Sequence, residues 1–578
     1  MKGLLISTAL LVSSNAFANY SAKIVGGDDA GTDYPWVAGL HTYSPGTSMY
    51  GPIPFCGGTL ISPGWVVTAA HCLVSKGPNS ILLRINQPDL KENGNYIAPG
   101  YTADAVVLHE NYVSHTSGYD IALVKLTSKL DQPTASLADE AIVSVIENEP
   151  FPDDTLRALG WGIFDNENFN PENAGSGDHP DTLQSVVLDY LPASQLASPK
   201  PDNIVIAYEP EPSDDQPFGA DTCYGDSGGP LMLREDNIFI DESELGPILV
   251  GITSYGSTNC NSTSSVGIYT RVSAYTEWIE QQAGAHGDPL ADLTVNLSHP
   301  TRDLQTGSTS DDLLLTVLNQ SHVTEVSTFR VTLTPSSGVS LSAGTGSALT
   351  CSAGTGGSLI CQPNGLTLGA GGSVTVPFSA TDTSSSTRKA KINAEIVSMD
   401  QDEYRLFNNS SDLNLRYANG ADLDISLRRN YSSDGEFTIS VINRSDLFTA
   451  FDALITLDIT PAITPTLPQE CTRIDDIRIE CAIGEIAPDG EFSRTMRLTE
   501  TRRTWQKYAV AASVSHSGDD PNKYNDSDTG LSHLYPAVVS DPHRPSTSLS
   551  SSSSSGGAAI FLLGLLLWPG LRRLSQHR

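Results

Sequence analysis

Ten residues, Asp221-Thr-Cys-Tyr-Gly-Asp-Ser-Gly-Gly-Pro230, carry the densest chemistry in the chain. A serine hydroxyl is a poor nucleophile until a base takes its proton, and the charge that then develops on a substrate oxygen needs fixed N–H donors. Glycines flank Ser227 on both sides and let the backbone turn tightly enough to aim such donors at one point. On its own, a run of this kind also makes an ordinary turn. Two other local sequences lift it above that. Thr68-Ala-Ala-His-Cys72 offers an imidazole base, and Gly118-Tyr-Asp-Ile-Ala-Leu123 offers a carboxylate. Asp120 opens the apolar, strand-like run Ile121-Ala-Leu-Val-Lys-Leu126, which places it at the edge of a buried sheet. A carboxylate there needs a partner, and His71 is the candidate. The chain holds twelve histidines, of which His41, His109 and His115 lack any such context and read as surface or satisfied core residues.

In the order His, Asp, Ser, these three sequences resemble the trypsin/chymotrypsin-like serine proteases. The resemblance implies an all-β protease domain of two six-stranded barrels, with Ser227 as nucleophile and His71 as base and then acid. Asp120 orients the imidazole, and the N–H groups of Gly225 and Ser227 form the oxyanion hole. It also implies that Asp221, six positions before the nucleophile, floors the primary specificity (S1) pocket and selects arginine or lysine. A neutral side chain in that slot would leave a buried charge unpaired. Ser254-Tyr-Gly256 and Gly267-Ile-Tyr-Thr-Arg-Val272 resemble the pocket walls, with Gly256 and Gly267 keeping the slot open. Ser254 is expected to hydrogen-bond Asp120, and Tyr255 stands where tryptophan is more often found. Ile24-Val-Gly-Gly27 after Lys23 looks like a zymogen activation site. Cutting there frees the Ile24 ammonium to pair with Asp226, so the activator is itself a protease that cuts after basic residues. The same resemblance implies the bridges Cys56–Cys72 and Cys223–Cys260. A further bridge of the family has no cysteines here, and residues 165–217 are the least family-like part of the domain. No cofactor or metal is expected. Calcium dependence stays open, because Asp89 and Glu92 lie where some relatives bind the ion but match a ligand pattern poorly.

At 578 residues the chain exceeds one such domain, and its formal net charge of −34 excludes nonspecific nucleic-acid binding, which needs a basic surface. Residues 1–18 read as a secretory signal peptide and 19–23 as a short propeptide, ahead of a protease domain over 24–283. With the signal peptide, eight cysteines point to an oxidising compartment. Ala283-Gly-Ala-His-Gly287 reads as a linker. Beyond it, short alternating stretches repeat: Ala291-Asp-Leu-Thr-Val-Asn-Leu297 recurs as Ala421-Asp-Leu-Asp-Ile-Ser-Leu427, and Cys351/Cys361 recur as Cys471/Cys481. Two immunoglobulin-like sandwiches are predicted, over 288–416 and 419–537, each with a bridge between neighbouring strands.

A serine-rich linker over 538–555 follows. The tail over 556–578, diglycine then a short apolar run then arginines, resembles the GlyGly-CTERM sorting signals of Gram-negative bacteria. That resemblance implies a weak or transient membrane attachment, a sorting intramembrane protease and type II secretion. The whole arrangement resembles the Ves-type proteases of vibrios. The expected product is an exported or surface-held endopeptidase acting on protein and peptide substrates. The alternative is a surface adhesin whose protease domain serves only as scaffold.

Overall fold

A computed structural model of the chain describes residues 27–534 except 149–154, 164–178, 193–200, 209–220, 235–245, 257–265, 345–347, 385–386, 430–435, 461–463, 500–505 and 519. The expected signal peptide, Lys23, Ile24, Cys260, the serine-rich segment and the C-terminal tail lie outside these residues. No helix among the described residues is long and apolar enough to cross a membrane.

Residues 37–271 form two closed barrels. In the first, β1 (Val37–Ser44), β2 (Cys56–Ser62), β3 (Trp65–Thr68), β4 (Ile81–Ile85), β5 (Tyr101–Leu108) and β6 (Ala122–Leu126) close in the cyclic order 1-2-3-6-5-4. In the second, β7 (Leu156–Gly160), β8 (Gln184–Tyr190), β9 (Ile204–Tyr208), β10 (Pro230–Leu233), β11 (Ile248–Gly256) and β12 (Gly267–Arg271) repeat that cyclic order. Closure removes the exposed sheet edges that an open six-stranded sheet would leave. The helices are short: α1 (Ala70–Leu73), α2 (Glu140–Asn148) and α3 (Thr276–Ala285). The expected linker is helical as far as Ala285. His286 then folds its Nδ1 to the Gln282 carbonyl at 2.8 Å, and Asp288 pairs with Lys129 at 2.8 Å, so this segment is tied down.

The strands carry alternating or continuous apolar residues because their inward faces fill one shared interior. Trp65, Leu60 and Tyr269 are wholly buried in it, and so is Tyr404, which comes from the part of the chain beyond the barrels.

That later part forms two β sandwiches with the same topology. In the first, a sheet of Leu293–Ser298, Thr309–Asn319, Ser373–Asp382 and Val339–Ala343 faces a sheet built around Ser410–Ala418, Arg388–Ser398, Phe329–Pro335 and Leu359–Pro363. In the second, Leu423–Arg429, Glu436–Asn443, Glu491–Thr499 and Thr464–Thr466 face a sheet built around Ser527–Leu534, Gln506–Ser515, Ala450–Thr460 and Arg478–Ile486. Each sandwich has its own apolar core. Cys351 lies directly opposite Cys361 and is bonded to it, and Cys471 and Cys481 are joined in the same way.

Candidate active site

The first barrel brings His71 and Asp120 together by strand register. β3 ends at Thr68, which pairs with Ala122 at the start of β6, so the residues just outside both strand ends become neighbours. Asp120 Oδ2 lies 2.7 Å from His71 Nδ1, and Oδ1 accepts the His71 backbone N–H at 2.8 Å. The second barrel completes the site from below. Ser254 on β11 donates its hydroxyl to Asp120 Oδ2 at 2.6 Å, and Thr270 on β12 donates to the Asp120 carbonyl at 2.9 Å. Burial alone would raise the Asp120 pKa, but hydrogen bonds and charge from His71, with the Ser254 hydroxyl, hold it below the ordinary aspartate value. The His71 side chain keeps 24% exposure while that of Asp120 has 1%, so the imidazole reaches solvent and its partner does not.

Ser227 sits in the turn ahead of β10, pressed onto the first barrel. Its carbonyl accepts the Gly57 N–H at 2.7 Å, and Thr68 Oγ1 donates to the Gly57 carbonyl at 2.7 Å. There is no room for side chains in this seam. A Cβ on Gly57 would meet Gly229 Cα at 2.7 Å, and one on Gly228 would meet Thr68 Oγ1 at 2.2 Å. Gly225 and Gly228 take φ of 102° and 79°, left-handed values open to glycine. His71 and Ser227 line the same cleft of about 410 Å³. Among the described residues no hydrogen bond joins their side chains, a looseness common before substrate arrives.

The Asp226 side chain points the other way, into the protein. It is wholly buried and accepts the N–H groups of Gly162 at 2.7 Å and Cys223 at 2.9 Å. Burial, added to by the nearby Asp221 charge, pushes its pKa up to about 7. Asp221 is 1% exposed, and its Oδ1 accepts the Thr222 N–H at 2.7 Å. Beneath it Tyr269 reaches Thr222 Oγ1 at 3.2 Å, and burial beside the Asp221 charge holds its phenol well above the ordinary pKa. Gly256 and Gly267, the glycines expected in the pocket walls, pair with each other across β11 and β12. Gly267 also has a packing reason to be glycine, because a Cβ would strike the Tyr269 ring at 2.8 Å.

Cys56 and Cys72 are bonded to each other. Cys223 is also in a disulfide, and its expected partner Cys260 lies outside the described residues. The one metal-like grouping among the described residues, Cys56, His71 and Cys72, has both sulfurs consumed by that bridge.

His115 is a cleft residue whose place the sequence did not show. It lines the cleft, its ring 5.4 Å from Tyr255 and edge-on to His71 at 6.4 Å. Its only local signal is a position five residues before Asp120, inside a loop that has to approach the cleft. His41 and His109 are buried instead, and burial lowers the pKa of both, that of His41 to about 4.

The trypsin family model matches residues 24–279. Chymotrypsin-C of Bos taurus is 31% identical over 272 residues, covering 46% of this chain and 90% of the relative. Hypodermin-B of Hypoderma lineatum is 30% identical over 276 residues, covering 47% and 92%. Clotting factor G beta subunit of Tachypleus tridentatus is 28% identical over 295 residues, covering 47% and 82%. Two barrels of one topology, a histidine paired with a buried aspartate beside a serine on a glycine turn, and these similarities lead to one conclusion: the chain belongs to the trypsin family and is a serine endopeptidase.

Proposed function

We propose that this endopeptidase is exported, is made as a zymogen, and cleaves after arginine or lysine. Ser227 Oγ attacks the scissile carbonyl carbon while His71 Nε2 takes the hydroxyl proton. The carbonyl oxygen becomes an oxyanion held by the N–H groups of Gly225 and Ser227. As the tetrahedral intermediate collapses, the C–N bond breaks and His71 returns the proton to the departing amine. Water then repeats the sequence on the acyl-enzyme and frees Ser227. Asp120 keeps its charge throughout, stabilising the imidazolium and fixing the tautomer that leaves Nε2 free to accept.

The observation that carries this reading is the 2.7 Å contact between His71 Nδ1 and a wholly buried Asp120, with His71 and Ser227 lining one cleft. For specificity, the support is Asp221, a carboxylate with 1% exposure next to Thr222 on the cleft wall. For activation, the support is Asp226, buried with two backbone donors and a pKa near neutrality, where a cation would be strongly welcomed. The cation we assign is the Ile24 ammonium released by cutting after Lys23. We read the two sandwiches as immunoglobulin-like modules and the tail as a GlyGly-CTERM-type sorting signal.

The test is hydrolysis of arginyl, lysyl and leucyl amides by the chain cut after Lys23. Hydrolysis of the basic amides alone, abolished in Ser227→Ala and lost in the uncut chain, is expected. Asp221→Ser should remove the basic preference, and unchanged arginine selectivity in that variant would refute the pocket assignment.

A further inference from the structure

Helix α3 is gripped on both sides. On the barrel side, Tyr275 just ahead of it donates its hydroxyl to the Gly118 carbonyl, and Asn203 Nδ2 reaches that carbonyl at 2.5 Å and the Tyr275 oxygen at 2.7 Å. Gly118 takes φ 82°, with the Asn203 amide 2.8 Å from where a Cβ would stand. Trp278 stacks on His109 with ring centroids 4.9 Å apart and donates Nε1 to Glu110 at 2.9 Å. The His109 N–H donates to the Ile121 carbonyl at 3.1 Å. The helix and its lead-in therefore brace the backbone on either side of Asp120.

On the other side is Glu280, which is 0% exposed. Its Oε2 accepts the N–H groups of His322 at 2.7 Å and Val323 at 3.0 Å. Its Oε1 lies 3.0 Å from His322 Nδ1 and accepts the Tyr404 hydroxyl at 2.5 Å. All four partners belong to the first sandwich. A buried carboxylate is tolerated only when so paired, so the contact is a specific joint and not a chance brush of surfaces. Around it the two bodies merge. The Tyr404 carbonyl accepts the Leu137 N–H at 2.9 Å, the Leu406 N–H reaches Ser136 Oγ at 3.0 Å, and Ser136–Leu137 pairs with β11, the strand that carries Ser254.

The internal repeat supplies an independent sign. In each sandwich the same loop joins the body before it. His322 and Val323 dock on Glu280, and in the second loop Ser445 and Asp446, the equivalents of Ser321 and His322, dock on Asp303 and Arg302. The two loops are braced identically. Asn319 Oδ1 and Asn443 Oδ1 each accept a serine N–H at 3.1 Å, from Ser321 and Ser445, while their Nδ2 groups reach the carbonyls of Thr324 and Phe448 at 2.8 Å.

We propose that Glu280, His322 and Tyr404 form a built-in clamp, and that through it the first sandwich is a positioning element for catalysis, holding the helix that fixes Asp120 against His71. None of the three touches the reacting atoms, so they are positioning residues. The proposal rests on the reading of Asp120 as the partner of the catalytic imidazole.

Tyr404→Phe, which removes one hydroxyl, and Glu280→Gln, which removes the charge, are made in the full chain cut after Lys23. Steady-state kinetics on an arginyl amide, thermal unfolding and amide hydrogen exchange are compared with the parent. Coupling of this kind is worth about 2- to 30-fold in rate. The expected result is a fall of that size in kcat with KM unchanged, together with faster exchange at residues 118–122. The double variant should be no worse than the worse single one, because both act at one contact. If either variant lowers the melting temperature while kcat and the exchange at 118–122 stay parental, the clamp is only structural and the proposal is overturned. Should Glu280→Gln fail to fold, Tyr404→Phe alone decides. A parent that neither cuts the amide nor is labelled at Ser227 by a fluorophosphonate overturns the catalytic reading, and the clamp with it.

Discussion

Three buried acids survive the loss of water in three different ways. Asp120 stays charged beside His71 and Ser254, Glu280 satisfies its oxygens with four donors, and Asp226 has, among the described residues, two backbone donors and an elevated pKa. Asp226 therefore gives a pH signature to the uncut chain. Its folded pKa of about 7 lies above the ordinary aspartate value of 3.8. Between these values the folded state keeps a proton that the unfolded chain has released, so stability falls as pH rises through the window and levels off above it. Denaturant midpoints of the uncut chain measured from pH 4 to 8 should show this slope, and Asp226→Asn should flatten it. In the cut chain an ammonium beside the carboxylate reverses the balance, and the downward slope should vanish. At the same scale, Asp120→Asn should lower kcat by about 10⁴-fold, the loss seen in the serine-protease template when the histidine is held in the wrong tautomer. The residues proposed to react were readable because each lies in a short local sequence whose composition is dictated by its own turn or strand end. His115 was not readable, since nothing local tells a loop histidine that Tyr255, far away in sequence, will stand beside it.

Strand ends and glycine turns turn those residues into a site. The seam between the barrels depends on Gly57 meeting Gly229, backbone against backbone, and backbone cannot swing aside as a side chain can. Gly57→Ala should therefore displace the Ser227 turn from the first barrel, which holds His71. A misplacement of about 1 Å costs on the order of 100-fold in rate, so kcat/KM for an arginyl amide should fall by about that factor. Far-UV circular dichroism should remain that of the parent, which separates a shifted turn from an unfolded barrel. The sequence revealed β6 through the run Ile121 to Leu126 and the repeat through its paired cysteines, because alternation and burial are local properties of a strand. It misled at 283–287. Small residues and glycine read there as a linker, but such a stretch becomes helical when tertiary partners hold it: Glu280 just ahead of it is bonded to the first sandwich, and Asp288 just after it is held by Lys129 of the first barrel, which also pairs with Asp402. The place of Tyr404 in the protease core was invisible for the same reason, since it depends on a contact 124 residues away in the chain.

At the scale of the whole molecule, a chain with a formal net charge of −34 places some of its 33 lysines and arginines where bodies meet. Between the two sandwiches Arg416 reaches Asp303 at 2.7 Å through both Nε and Nη2 and also pairs with Asp422, while Arg302 reaches Asp489 at 2.6 Å and Asp446 at 3.2 Å. The Asp303 side chain is 2% exposed and that of Asp422 is 5% exposed, so neither carboxylate has water to fall back on. The Arg302 pairs are more than a third exposed at the arginine and add little by comparison. Arg416→Met keeps the apolar stem and strips the charge, leaving two buried aspartates facing each other without a cation. Breaking a buried pair in this way costs about 3 to 5 kcal/mol. The loss should appear as a separation of the second sandwich from the first: an added low-temperature calorimetric transition, and a larger radius of gyration in X-ray scattering at low salt, where like charges repel most strongly. Adding Asp303→Asn to Arg416→Met should recover part of the loss, since one of the two unpaired charges is then gone. A single transition with unchanged dimensions in Arg416→Met would mean that the sandwiches are held together by their apolar contacts, and that the arginine merely neutralises charges other groups already tolerate.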